Sequence, residues 1–144
     1  MIHLLDVNVL IALGDANHPH RASALQFFQT VLTVDGWATC PLTENAFIRI
    51  LGGIHYTHGP GSTDEARRLL IAMKAAPGHQ FWPDVLSLTD PVFFPKLPTS
   101  QHLTDLYLLA LAVKRGARLA TFDAGIQAAL VPGGPSAIFL IPSL

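Results

Sequence analysis

Four of the ten acidic residues in this 144-residue chain stand where an apolar run begins or ends: Asp6 in LLDVN, Glu44 in CPLTEN, Asp105 in HLTDLYLLALA and Asp123 in LATFD. A lone charge is costly beside such runs. Brought together, the four would repel one another and raise each other's pKa, so a cation held between them is the simplest reason for the group at neutral pH. Hard oxygen donors select magnesium or manganese over zinc or copper, and no Cys/His quartet argues otherwise. In comparable sites two such ions, roughly 3.5 to 4 Å apart, activate a water and stabilise the leaving oxygen in phosphodiester hydrolysis. The metal charge also lets an acidic pocket accept a polyanion.

The elements that must position these acids alternate between strand and helix. Ile2 to Leu5 reads as a first strand and Val7 to Leu13 as a short helix stopped at Gly14. Pro19 to Leu32 is amphipathic, with Ala22, Leu25, Phe28 and Leu32 at three- and four-residue spacing. Trp37 to Cys40 is a second strand, and Pro41 opens a helix through Glu44 to Leu51 that Gly52-Gly53 ends. A Gly/Pro loop from His55 to Gly61 precedes a helix capped by Ser62 or Thr63 and running to Ala76. Phe81-Trp82 is a brief third strand, and the Pro-punctuated segment from Pro83 to Pro98 holds short helices at most. Leu103 to Arg115 is apolar on nearly every face and marks a buried helix; Arg118 to Phe122 is the fourth strand. Ala124 to Val131 is a short helix and Ala137 to Ile141 a last strand near an edge.

Such alternation predicts a three-layer α/β/α sandwich around a mostly parallel sheet of about five strands. Ligands of these sheets gather beyond the carboxyl ends of the strands. Asp6 and Asp123 leave strands there, Glu44 lies one turn into the helix after the second strand, and Asp105 opens the buried helix. Their convergence requires the first and fourth strands to be neighbours near a switch in strand order.

Composition narrows the setting. The length suits one domain spanning 1–144, and half of the residues are apolar with only 13 % charged, which favours a partner or self-association. The longest apolar stretch, Leu106 to Val113, is far short of the roughly 20 residues needed to cross a bilayer, and the first residues offer no basic leader region. A soluble, unprocessed chain is expected, away from the membrane. The single Cys40 suits a reducing cytoplasm and reads as a small buried residue. A net charge of −1 gives no basic field to draw in nucleic acid, so binding to it must come from local charge or metal.

From LLDVNVLIAL through PLTENAFIRIL to TDLYLLALAVKRGARLATFD, the chain resembles the PIN domain in its small form, the VapC toxins of bacterial toxin-antitoxin pairs. Each motif alone is weak; their order and spacing together are specific. The resemblance implies a metal-dependent endoribonuclease that leaves a 5′-phosphate and a 3′-hydroxyl. Asp6, Glu44, Asp105 and Asp123 match the family's acidic quartet and would hold magnesium or manganese directly or through water. Asn8 matches the polar residue two after the first acid and would orient ligands from behind it. Thr104 and Thr121 resemble the hydroxyls beside the later acids. The resemblance further implies an RNA substrate, a homodimer and a cognate VapB antitoxin that occludes the acidic pocket.

Plainer readings compete residue by residue. Asp6 and Asp123 are each as good a helix cap as a ligand, and Asp105 and Glu44 suit the first turns of their helices. Arg49 is equally an RNA contact or a structural side chain, and His18, His20, His55 and His58 form no recognisable zinc set. Trp37, Phe47, Trp82 and Tyr107 are simplest as core aromatics. Two other functional classes stand beside the nuclease. One is a PIN-fold module that binds RNA or protein without cutting. The other is an aspartyl-phosphate enzyme using Asp6 as nucleophile, which lacks the Asp-x-Asp-Gly-Thr pattern expected of it.

Overall fold

The computed structural model describes residues 1–144. In it, five short parallel strands form one sheet in the order β3-β2-β1-β4-β5. They are β1 (His3–Leu5), β2 (Trp37–Thr39), β3 (His79–Phe81), β4 (Arg118–Thr121) and β5 (Ile138–Leu140). Consecutive β1 and β4 residues pair in register, His3 with Arg118 and Leu5 with Ala120, so the neighbouring pair required by the sequence argument exists. The order reverses at that pair, which makes it the switch point of the sheet.

Side-chain alternation splits the strands between two apolar layers. Leu4, Ala38 and Leu119 face a cluster built on α6 (Leu103–Lys114). Leu5, Trp37 and Ala120 face the opposite cluster, with α1 (Val7–Gly14), α2 (Arg21–Phe27), α4 (Pro41–Leu51) and α5 (Thr63–Lys74). Residues Leu106 to Ala112 of α6 are buried on every face. The segment from Pro83 to Pro98 supplies their second cover: it contains turns but no helix, and Leu86, Leu88, Phe93 and Phe94 lie on α6. Prolines prevent that segment from forming the expected short helices, while its apolar side chains still bury.

Local chemistry accounts for the helix boundaries. Pro41 occupies the first turn of α4, where a missing N–H costs nothing, and the Thr43 hydroxyl bonds both the N–H and the carbonyl of Cys40. Ser62 caps α5 by accepting from the Glu65 N–H. Gly14 lets α1 approach α4, since a Cβ there would sit 2.8 Å from the Phe47 ring. Gly36 turns the chain into β2 at φ 98°, a conformation that penalises any side chain.

Other boundaries move. The second helix starts at Arg21, passes through a π-helical stretch (Phe28–Leu32) and ends in α3 (Thr33–Asp35). The third strand is His79–Phe81, because Trp37 to Thr39 pair with these residues and Trp82 only begins the exit. After Asp123 the chain makes a turn and a 3-10 turn at Ala128–Leu130, and α7 (Gly134–Ala137) precedes β5. No helix is long and apolar enough to cross a membrane. The four aromatic residues expected in the core and Cys40 are all buried.

His3 is the oddity of the core. It is 3 % exposed, its ring lies edge-on to Phe27 and Phe139, and neither nitrogen has a hydrogen-bond partner. Burial, then the Arg118 charge, lowers its pKa, so the folded chain resists a proton that the unfolded chain accepts. Stability from this residue is therefore complete above the ordinary histidine range and declines as the pH falls through it. Thermal melts of the chain and of His3→Phe between pH 5 and 8 should diverge below about pH 6.5, the variant losing less. Parallel curves would refute the assignment.

Candidate metal centre

Asp6 extends the β1 ladder by one residue, its N–H bonding to the Ala120 carbonyl at 3.0 Å. Alternation then turns its side chain to the α6 face, where it is 3 % exposed. Thr121, also on that face, donates its hydroxyl to Asp6 Oδ2 at 2.7 Å. The Val7 N–H donates to Oδ1 at 2.7 Å, so Asp6 does cap α1 and still presents its carboxylate to the site. The capping and site readings are compatible for this residue.

Asn8 braces the group from α1. Its Nδ2 lies 3.4 Å from Asp6 Oδ2 and 3.3 Å from Thr121 Oγ1, and its Oδ1 accepts the Phe122 N–H at 3.3 Å. The Asp123 N–H reaches back to Thr121 Oγ1 at 3.0 Å, and Asp123 Oδ1 accepts the Gly125 N–H at 2.7 Å. Asp123 thus closes a turn rather than capping a helix. Asn8 and Thr121 together fix the ends of both switch-point strands.

Electrostatics ties Asp105 to these two. Burial first, then the charges of Asp105 and Asp123, push the Asp6 carboxyl up to about 6, against the bonds from Thr121 and Val7. Burial and Asp123 raise Asp105 as well, with His102 acting weakly the other way. None of the three has an ion-pair partner. Two carboxylates raised by burial and by neighbouring acids, beside a third that pairs with no base, suit a hard divalent cation. As they stand, no three His, Cys, Asp or Glu side chains of the chain are grouped closely enough to hold a metal ion by themselves. Magnesium keeps several of its waters, so such a site can hold it partly through water.

Glu44 has partners of its own. Thr39 follows Trp37 onto the opposite face of the sheet, and its hydroxyl donates to Glu44 Oε2 at 2.6 Å. Lys74, from the last turn of α5, reaches the same oxygen at 2.9 Å. His79 Nε2 lies 2.8 Å from Thr39 Oγ1, and as the Thr39 proton is already given to Glu44, the imidazole is the donor there. Burial and the Lys74 ammonium lower the His79 pKa, with Glu44 opposing. Asp6 thus feels the charges of Asp105 and Asp123, while Glu44 is paired with Lys74. Thr104 is exposed and lines a separate hollow with Leu42 and Tyr107.

Lys74, Thr39 and His79 escaped the sequence reading. By type and position Lys74 is an ordinary basic residue in the last turn of a helix, and nothing in its spacing links it to Glu44. His20 stacks on Phe122 at 4.4 Å, which places a histidine beside the strand exit that carries Asp123. A His-Pro-His triplet gave no hint of that contact.

A parallel sheet of this order, with acids beyond its two switch-point strands and on the buried helix, defines a PIN-type α/β fold. The VapBC2 complex of Rickettsia felis, solved bound to a DNA fragment from its promoter, shares it: the TM-score is 0.65 at 13 % identity, covering 99 % of this chain and 100 % of that one. No protein-family model matches the sequence. Ribonuclease VapC38 of Mycobacterium tuberculosis is 43 % identical over 85 % of this chain and 86 % of its own length. Ribonuclease VapC39 of the same species is 42 % identical over 88 % and 91 %, and ribonuclease VapC44 38 % over 90 % and 92 %. The chain belongs to the VapC ribonuclease family.

Proposed function

We propose that this protein is a metal-dependent endoribonuclease and the toxin of a VapBC-type pair. The observation that carries the reading is that Asp6, pushed up to about 6 beyond the switch-point strands, feels the charges of Asp105 and Asp123, and that no Lys or Arg pairs with any of the three. A site built only to stabilise the fold would not retain that penalty. Asp6, Asp105 and Asp123 would hold magnesium or manganese, and Glu44 would complete the set on leaving Lys74. Bound there, the cation supplies the charge that lowers the pKa of water and offsets charge developing on an RNA phosphate. Asp6 and Asp123 orient the donors from the ends of their strands, and Asn8 with Thr121 keeps those ends in register. Asp105, from α6, supplies its charge from the third side.

An antitoxin partner fits a second surface. Between α1, α2 and α5 runs an apolar groove of about 430 Å³ whose lining includes Leu13, Leu25, Phe28, Leu69 and Met73, with Arg21 at its side. Its shape and chemistry suit the apolar face of an amphipathic helix.

One assay tests both halves. Purified chain and RNA with magnesium or manganese should yield 5′-phosphate ends, and a chelator should remove the cleavage. The cognate antitoxin should inhibit the chain and do so about 100-fold less well against Met73→Glu. Cleavage that persists in chelator sinks the metal reading, and undiminished inhibition of Met73→Glu sinks the groove.

A further inference from the structure

We propose that Lys74 is a positioning residue that competes with the metal ion for Glu44. The inference rests on the reading of Asp6, Asp105 and Asp123 as metal-holding residues and adds a control on the fourth acid.

The four acids are treated unequally by the fold. Asp6, Asp105 and Asp123 have no basic partner, while Glu44 alone is paired, with an ammonium 2.9 Å from its Oε2. The pair is not a loose surface contact, since the Lys74 and Glu44 side chains are only 30 % and 19 % exposed. Lys74 is itself held: its ammonium lies 5.3 Å from the centre of the Phe81 ring, and α5 packs along α4. Thr39, backed by His79, gives Glu44 a second bond on the same oxygen. Glu44 thus sits in a prepared seat on the α4/α5 face, whereas Asp6 and Thr121 face α6.

A carboxylate can serve the ammonium and Thr39 or a cation among the other three acids, and moving from one to the other loses the first set of bonds. Lys74 therefore weakens metal binding by the amount its pair with Glu44 is worth, and keeps Glu44 ordered without metal. Removing the ammonium should tighten manganese binding, and only where residue 44 is an acid. General loss of a positive charge near an acidic pocket would instead tighten binding whatever stands at position 44.

The test is a double-mutant cycle on manganese affinity of the full chain by calorimetry, without RNA. Lys74→Met should lower the manganese Kd by about fivefold, the upper range for a partly exposed pair. In the Glu44→Gln background the same substitution should change it by less than about twofold, and Lys74→Arg in the wild-type background should restore the original value. Lys74→Gln repeats the measurement should the Met variant fold poorly. An unchanged Kd on removing Lys74, or equal tightening in both backgrounds, overturns the proposal. Asp6→Asn serves as the separate control: if it binds manganese as the unmodified chain does, the metal-site reading itself fails.

Discussion

Asp6→Asn should lose magnesium- or manganese-dependent RNA cleavage by about a thousandfold or more and, without metal, melt at a higher temperature than the unmodified chain. Both effects come from one carboxylate. Burial and its acidic neighbours raise Asp6 to about 6, so ionising it in the folded chain is unfavourable relative to the unfolded chain, where aspartate titrates near 3.8. The sign is that of a raised acid: the penalty is absent at low pH, grows as the pH passes from about 4 to about 6, and is complete above. About two pKa units correspond to about 3 kcal/mol of stability at neutral pH, a large share of the total for a small domain. Asn keeps an oxygen for the Val7 N–H and removes the charge. Addition of manganese should raise the melting temperature of the unmodified chain and leave that of the variant where it was. A variant that still cleaves, or one that melts lower at pH 7.5 than the parent, would contradict the assignment. Raised stability together with lost cleavage is expected of a residue held in a costly state for its chemistry.

The second large effect lies in the layer beneath Glu44. Trp37→Ala should destabilise the chain by about 3–5 kcal/mol, as loss of a fully buried aromatic side chain does elsewhere. Trp37 is 0 % exposed, its ring meets Phe28 and His79 edge-on at 5.3 and 4.6 Å, and its Nε1 donates to the Pro77 carbonyl at 3.1 Å. The variant leaves a cavity and loses the hydrogen bond to the Pro77 carbonyl, and it also frees the His79 ring that backs Thr39. Urea denaturation followed by far-UV circular dichroism reads the loss directly, and a change below about 1 kcal/mol would show that the layer collapses around the gap. Trp82 remains as a fluorescence probe at a distinct site.

Parts of this structure were legible because they depend on short stretches of chain. Asp6 and Asp123 could be placed at strand exits because apolar runs of strand length end at each, and such runs rarely end on a charge inside a sheet. The buried helix was legible from Leu103 to Arg115 because an element apolar on all sides has nowhere to sit but between two layers. The third strand was misread by two residues because His79–Phe81 is exposed on an edge and carries no apolar run to mark it. The segment from Pro83 to Pro98 hid its role because covering α6 needs only apolar side chains at the right places, not a periodic helix. Lys74 was invisible as a site residue because a charge pair between residues far apart in sequence leaves no spacing.

By itself the sequence determined that acids stand at strand exits and in the first turns of helices, since strand length, helix caps and apolar runs are local properties. Only the tertiary structure decided how they divide. Alternation along β1 and β4 turns Asp6 and Thr121 toward α6, and the same alternation along β2 turns Thr39 to the other face. Glu44 follows Thr39 because a carboxylate goes to the nearest donors, and the packing of α5 on α4 brings Lys74 to that side. Electrostatic energy depends on distance, and the distances between remote residues are set by the fold.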